Sequence, residues 1–432
     1  MTSDPMTSNT THESACRSCA TPLDFIFADL GSQPIANDFV VKPGDRGHEP
    51  RYPLRVACCR LCRLVQIVDT LPSDRLFRAD YVYQSSISSS FVAHARTHVE
   101  ELIETYRLGP THHIVEIASN DGYLLQFFKD RNIPVTGIEP SASVAKIARD
   151  RHGIPTIERF FGAQEALRLK DEIGQADIIL ANNVLAHVPD LFDFLTGVKS
   201  LLKTDGVARL EFPHLLSLLD HVQFDTIYHE HYSYLSLLAL QPLLERVGLQ
   251  PIDCEEIAVH GGSLRLSLSH STPSRTPTER LLDIMRKERD QGLDRDEPYL
   301  AFGDAIRTTC AELRAILQQE KSCGALIAAY GAPAKGNTLL NTAGIDGRLI
   351  SFTVDRAASK RGKYLPGSGI PVLDPSMIEI MRPDLILILP WNIKDEIMAE
   401  FAHMQISKTR FLIATPRPEI ISSPVHERKQ AS

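Results

Sequence analysis

Tryptophan occurs once in the 432 residues, acidic side chains outnumber basic ones, and no long apolar run interrupts the chain. The 46 lysines and arginines against 54 aspartates and glutamates leave a formal charge of −8. Gripping a phosphate backbone needs the opposite balance, so no nucleic-acid partner is expected. No segment approaches the roughly 18–20 consecutive apolar residues of a membrane span, so no membrane partner is expected either. The opening MTSDPMTSNTTHESA lacks the charged-then-apolar order of a secretory signal, and the expected location is cytoplasmic. The length suggests about three domains.

Eight cysteines in a chain of this size do not make a disulfide framework in a reducing compartment. Their spacing is what informs. Cys16-Arg-Ser-Cys19 and Cys59-Arg-Leu-Cys62 each set two thiolates on a tight turn, the arrangement in which four sulfurs surround Zn²⁺ tetrahedrally. The chain between the two turns exceeds the roughly 15–20 residues of a compact ribbon, so it must hold strands of its own; residues 54–57 and 64–68 are candidates. A thiol-redox pair is the competing reading, but it requires one Cys-x-x-Cys at a helix start rather than two in turns. Cys58 falls outside the symmetric spacing and is expected to be a spare thiol. Four sulfur ligands leave no position for water, so the metal's expected role is folding and docking.

From His113 the chain reads HIVEIASNDGYLLQFFKDRNIPVTGIEPSASVAKIARDRHGI, which is strand, small-residue turn, amphipathic helix and second strand. This is one βαβ half of a doubly wound sheet. The turn Ala118-Ser119-Asn120-Asp121-Gly122, two residues beyond Glu116, lacks the G-x-G-x-x-G that a dinucleotide site uses for its pyrophosphate. Asp121 would repel a diphosphate. S-adenosylmethionine has no phosphate and carries a sulfonium, so a narrow acidic turn suits it better. Glu139 ends the next strand, placed to hold two ribose hydroxyls. ADIILANNVLAHVPDLFDFL then reads as the fourth strand running into a loop and helix, with Asn182, Asn183 and His187 at the mouth of the sheet.

The segment FDTIYHEHYSYLS packs Tyr228, His229, Glu230, His231, Tyr232 and Tyr234 together, a high density of groups able to pass protons. If extended, it puts Tyr228, Glu230 and Tyr232 on one face and His229 and His231 on the other. A metal held by His229 and His231, or a buried structural cluster, are the other readings. Residues 275–320 read as a charged helical connector. CGALIAAYGAPAKGNTLLNTAGIDGRLISFTVDR then repeats the order strand, glycine turn, helix, strand, and DLILILPWN adds a buried strand. The amides of the turn and Lys335 could receive a phosphate, or the turn simply packs; Ser359-Lys-Arg-Gly-Lys-Tyr364 adds cations, or is a solvated loop.

In their order, the four-cysteine domain, EIASNDGYLL, FDTIYHEHYSYLS and GAPAKGNTLLN make the chain resemble, over nearly its whole length, the S-adenosylmethionine-dependent sugar C-methyltransferases that act on nucleotide-linked ketodeoxysugars. The resemblance implies an α/β enzyme: a four-cysteine zinc-binding domain, a central class I Rossmann-like methyltransferase domain and a carboxy-terminal Rossmann-like domain. The expected bounds are a disordered terminus over 1–15, zinc domain 16–75, methyltransferase domain 76–270, helical connector 271–320, substrate domain 321–420 and a tail over 421–432. It implies zinc at Cys16, Cys19, Cys59 and Cys62, and the cofactor at Glu116, Ala118, Asn120, Asp121, Gly122, Glu139 and Asn182. It places the base at His231, with Glu230 and Tyr228 orienting or hydrogen-bonding, and implicates His187 and Tyr83, with Tyr81 as substitute. Lys335, Asn337 and Lys363 are expected substrate contacts in the nucleotide-sugar cleft. Methylation at C-3, where the neighbouring ketone acidifies the C–H, follows from the same resemblance. O- or N-methylation of a small metabolite and a non-catalytic zinc- and nucleotide-binding scaffold are the alternatives, and the large interfaces between domains would allow a monomer.

Overall fold

The computed structural model describes residues 14–42, 49–76, 86, 89–271, 275–403 and 409–421. Its strands, in chain order, are β1 (Ile26–Pro34), β2 (Arg51–Cys58), β3 (Val65–Ile67), β4 (Ile114–Ile117), β5 (Val135–Ile138), β6 (Thr156–Ile157), β7 (Ala176–Asn182), β8 (Leu202–Pro213), β9 (Ser233–Tyr234), β10 (Leu249–Ile257), β11 (Ser263–His270), β12 (Ile327–Tyr330), β13 (Phe352–Val354), β14 (Val372–Leu373), β15 (Leu385–Ile388), β16 (Arg410–Ile413) and β17 (Glu419–Ile421). They form three sheets.

The amino-terminal sheet runs β1-β2-β3-β9, all antiparallel. Its last strand comes from far along the chain: Ser233 and Tyr234, just beyond the His-Glu-His segment, pair with Gln66 and Val65. The middle sheet runs β10-β11-β8-β7-β4-β5-β6. The strands β6, β5, β4, β7 and β8 are parallel, and β11 is antiparallel to both β8 and β10. β4 and β5 are buried along their whole length, as parallel strands covered on both faces must be. Alternation along β4 and β7 feeds two cores. Val115, Ile117, Ile179 and Ala181 pack with the helices Leu191–Leu201 and Leu237–Val247. Ile114, Ile178 and Leu180 pack with Val99 and Leu102 of Ser89–Tyr106 and with Phe128.

The carboxy-terminal sheet runs β14-β13-β12-β15-β16-β17, parallel except for β17. One of its faces packs on Ile397 and Phe401 of the helix Lys394–His403. The other shares a single core with the amino-terminal sheet. Ile327, Ala329, Leu385 and Leu387 join Phe27, Leu54, Val56 and Ile67, with Tyr299, Phe302, Leu313 and Leu317 of the long helix Glu297–Ser322 between them. The expected helical connector is thus two helices, Glu279–Asp290 and Glu297–Ser322, the second of which contributes core side chains rather than serving as a spacer. Among the described residues no helix is long and apolar enough to cross a membrane.

Candidate functional site

The cysteine knuckles have matching backbones. Cys16 O accepts from Ala20 N and Cys59 O from Arg63 N, both at 2.8 Å, and Ala20 and Arg63 both take left-handed conformations (φ 61° and 59°). This brings the Sγ atoms of Cys16, Cys19, Cys59 and Cys62 within 4.8 Å of one another, with 3.5 Å between Cys16 and Cys62 and between Cys19 and Cys59. Zinc–thiolate bonds of about 2.3 Å require tetrahedral sulfurs roughly 3.8 Å apart, so the set fits zinc. Cys58 points away from it, into the core shared with the carboxy-terminal sheet, because neighbours on a strand face opposite sides. The knuckles also reach outward. Arg17 donates to Ile67 O (2.8 Å), to Ser233 Oγ (3.2 Å) and to Tyr232 O, while Arg63 donates to Leu293 O, Arg295 O and Asp296.

In the middle sheet the chain changes direction across β4, with β5 on one side and β7 on the other, and the crevice at such a switch point is where α/β sheets bind ligands. Ala118, Asn120 and Gly122 line it with left-handed backbone (φ 54°, 50° and 80°), the conformation that glycines ordinarily supply. Gly122 is required there: a Cβ would also meet the Ala148 Cβ and Ile154 Cγ1 at 3.2 Å. Glu139 braces the turn, accepting from Asn120 N (3.0 Å) and Ser141 N (2.8 Å), which leaves each oxygen a second lone pair. Asp121 accepts from Ser86 through Oδ2 (2.6 Å). Glu116 Oε2, Asp121 Oδ1 and Asn182 Oδ1 are buried without a partner among the described residues. Burial, with Asp121 and Glu139 close by, holds the Glu116 carboxyl well above the usual range, and burial also raises Glu139. Unmet acceptors and surplus negative charge fit a cofactor that brings amino and hydroxyl donors and positive charge. Tyr123, stacked on Phe91 with centroids 5.1 Å apart, adds an aromatic wall that carries no motif in the sequence.

Beyond β7 the proton-transfer groups converge. Residues 228–231 form a tight turn, with His231 N donating to Tyr228 O (2.9 Å), so the extended alternative does not hold. The turn stacks the Tyr228 and His231 rings, with centroids 4.1 Å apart, and sets the Tyr228 hydroxyl 2.8 Å from His231 Nε2. His231 Nδ1 lies 2.7 Å from Thr226 O; a carbonyl only accepts, so Nδ1 carries the proton and Nε2 is the basic nitrogen. His187 lies edge-on to His231 at 4.6 Å and donates through Nδ1 to Glu230 O (2.8 Å); burial lowers its pKa to about 4, keeping it neutral. Glu230 is 2% exposed, accepts from Asn37 Nδ2 (2.7 Å), and is pushed up to about 7 by burial. His229 faces elsewhere, 3.2 Å from Pro53 O and edge-on to Tyr52, so it shares no metal with His231. The cysteine set is the metal-competent group found among the described residues. Tyr83 and Tyr81 lie outside the described residues.

The carboxy-terminal turn follows β12. The half-buried Lys335 lies over the Trp391 ring (4.1 Å to the centroid) and donates to Asn392; burial lowers its pKa to about 8. Asn337 is 2% exposed and its amide donates to Ala36 O (2.6 Å), a tie to the zinc module, while its Oδ1 is buried with no partner among the described residues. Lys363 sits on the loop between β13 and β14, its neighbour Tyr364 bridging to Val40. Asn37 and Arg17 were not singled out by sequence reasoning, because isolated polar residues carry no spacing signal.

The zinc-competent knuckles, the acidic switch point and the order of the middle sheet define an S-adenosylmethionine-dependent methyltransferase with a zinc-binding amino-terminal domain. The profile described as a C-methyltransferase C-terminal domain matches residues 258–416, a zinc-binding domain matches 16–77 and a methyltransferase domain matches 91–253. The C-methyltransferase NovU of Streptomyces niveus is 33% identical over 408 residues, covering 94% of this chain and 97% of that protein. The chain therefore belongs to the C-methyltransferase family. Similar solved structures cover less of the chain. Magnesium protoporphyrin IX methyltransferase from Synechocystis PCC 6803 with bound SAM shares 14% identity at a TM-score of 0.32, over 42% of this chain and 79% of that one. A SAM-dependent methyltransferase from Anabaena variabilis ATCC 29413 shares 16% at 0.33, over 41% and 84%.

Proposed function

We propose that the chain methylates C-3 of a nucleotide-linked 4-keto-deoxysugar, with His231 as the base that removes the proton beside the ketone. The observation that carries this reading is the Tyr228–His231 pair, a phenol and a basic imidazole nitrogen 2.8 Å apart beside the acidic switch point. A carbon accepts a methyl group only as a carbanion equivalent, so a base and a donor to the enolate oxygen must work together. S-adenosylmethionine supplies an electrophilic methyl group on a sulfonium when bound. The chain's own residues do the rest. His231 Nε2 takes the proton, and the C–H electron pair moves into the enolate. The imidazolium keeps its Nδ1–H on Thr226 O. The Tyr228 hydroxyl, displaced from Nε2 by the arriving proton, donates to the enolate oxygen. Glu116, Asp121, Glu139 and Asn182 hold the cofactor, and His187 and Glu230 wall the cluster. Lys335 and Lys363 take the nucleotide end of the substrate.

The experiment is incubation with methyl-¹³C S-adenosylmethionine and a panel of nucleotide-linked 4-keto-6-deoxysugars, read by NMR. A carbon-bound methyl correlated to C-3 is expected. A C-4 ketone acidifies C-5 as well, so a methyl correlated to C-5 would overturn the position and retain the chemistry. An oxygen- or nitrogen-bound methyl would replace the reading with the corresponding transfer, and no signal from any sugar would remove the substrate class.

A further inference from the structure

Asp225 lies in the 3₁₀ turn Phe224–Thr226, one residue before the carbonyl that fixes the His231 tautomer. It is fully buried, and its Oδ2 accepts from Trp391 Nε1 at 2.7 Å. Trp391 is the chain's one tryptophan and comes from the far side of the interface, the turn Trp391–Ile393 after β15. Its ring carries the Lys335 ammonium on its face. The contact is tightly built. At Gly261 (φ 90°) a Cβ would stand 2.4 Å from Trp391 Cη2, and Gln223 Nε2 donates to Gly261 O at 2.7 Å. Asp225 Oδ1 is buried with no partner among the described residues. Burial pushes its pKa up to about 6, opposed by Lys335, the indole N–H and the backbone N–H groups of Asp225 and Thr226.

We propose that Asp225 is a positioning residue: anchored by the Trp391 indole beneath the Lys335 ammonium, it transmits occupation of the carboxy-terminal turn by a diphosphate to the imidazole of His231. The proposal rests on the nucleotide-linked substrate class argued above. An anion drawn to Lys335 pulls the ammonium off the ring face, which shifts the indole. The indole N–H moves the Asp225 carboxylate, and Thr226 O, on the adjoining peptide, moves with the base it orients. The latch thereby readies His231 when the substrate's nucleotide end is seated.

The test uses the full-length, zinc-loaded protein with ¹⁵N-tryptophan and ¹³C-histidine. The single indole gives one N–H cross-peak, and comparison with His231→Gln assigns the His231 signal. Uridine or thymidine diphosphate alone should shift both signals in the wild type. In the isosteric Asp225→Asn the His231 shift should vanish. With substrate, kcat should fall about 10–100-fold, as expected for a misaligned base, while KM changes less than about threefold. Trp391→Phe, which removes the indole N–H, should match it, and the double variant should lose no more than either single one. A His231 response that persists in Asp225→Asn, no response in the wild type, or additive losses in the double variant would overturn the proposal. A wild type that methylates no keto sugar yet shows the Asp225-dependent shift would instead sink the substrate reading and leave the latch standing.

Discussion

At the carboxyl ends of β4 and β5 the middle sheet gathers Glu116, Asp121 and Glu139, with acceptor atoms left unmet. At the corresponding ends of β12 and β13 the carboxy-terminal sheet places Asp355, whose oxygens accept from Ala332 N (2.7 Å) and Ala357 N (2.8 Å). Lys360 lies 3.7 Å from it and donates to Ala332 O (2.9 Å), and Lys335 lies over the Trp391 ring. The strand order creates the same crevice twice; in the first the carboxylates face one another with no basic partner among the described residues, whereas in the second each carboxylate stands beside a lysine, Asp355 beside Lys360 (3.7 Å) and Asp225 near Lys335. Topology says where a ligand binds, and the side chains say which one: surplus acid suits a sulfonium, and the phosphate proposed for the second crevice depends on Lys335. The zinc module is the bridge. It shares its core with the carboxy-terminal sheet, and it holds the reactive segment through Arg17 and β9.

Breaking that bridge should have the largest effect. Structural zinc contributes on the order of 10 kcal/mol to folding its own site. Stripping the metal with a chelator should therefore dissolve the antiparallel sheet, release Tyr232 and Ser233 from Arg17, and abolish methyl transfer. S-adenosylhomocysteine affinity, measured by calorimetry, should stay within about threefold, because β4, β5 and β7 carry that site without the metal. Retained transfer in zinc-free protein would refute the bridge. Next in size, His231→Ala should lower methyl transfer about 10²–10⁴-fold with cofactor affinity unchanged, measured as solvent deuterium exchange at the substrate carbon and as product formed.

The parts of this arrangement visible in the sequence were those encoded locally. The cysteine spacing, the strand-turn-helix order from His113 and the acid at Glu139 all act within one supersecondary unit, so their patterns sit side by side in the chain. What depended on distant partners was not visible. Nothing near Ser233 announces that it pairs with Gln66, nor that the chain before it turns tightly at Tyr228 and directs His229 toward Pro53. Asn337 stands beside a glycine turn in a phosphate-like motif, yet the carbonyl of Ala36 takes its amide. Cys58 was legible as a spare thiol, because it falls outside the symmetric Cys-x-x-Cys spacing.

A smaller effect sharpens the electrostatics. In the folded protein Glu230 titrates at about 7, against 4.5 for an ordinary glutamate. Between those values the folded state holds more protons than the unfolded chain, so stability declines as pH rises through that window. Denaturant unfolding at about pH 5 and about pH 8 should show Glu230→Gln losing on the order of 2–3 kcal/mol less over this interval than the wild type. Equal slopes would place the Glu230 carboxyl in water.

The division of ligands between the two crevices is tested most directly by a crossed titration. Asp121→Asn and Lys335→Met are each titrated with S-adenosylmethionine and with a nucleoside diphosphate by calorimetry. The expected result is that Asp121→Asn weakens the first ligand about tenfold and spares the second, and that Lys335→Met does the reverse, the size expected for one charge-assisted contact. Both ligands weakened by the same substitution, or neither weakened by its own, would contradict two crevices of one topology divided between two ligands.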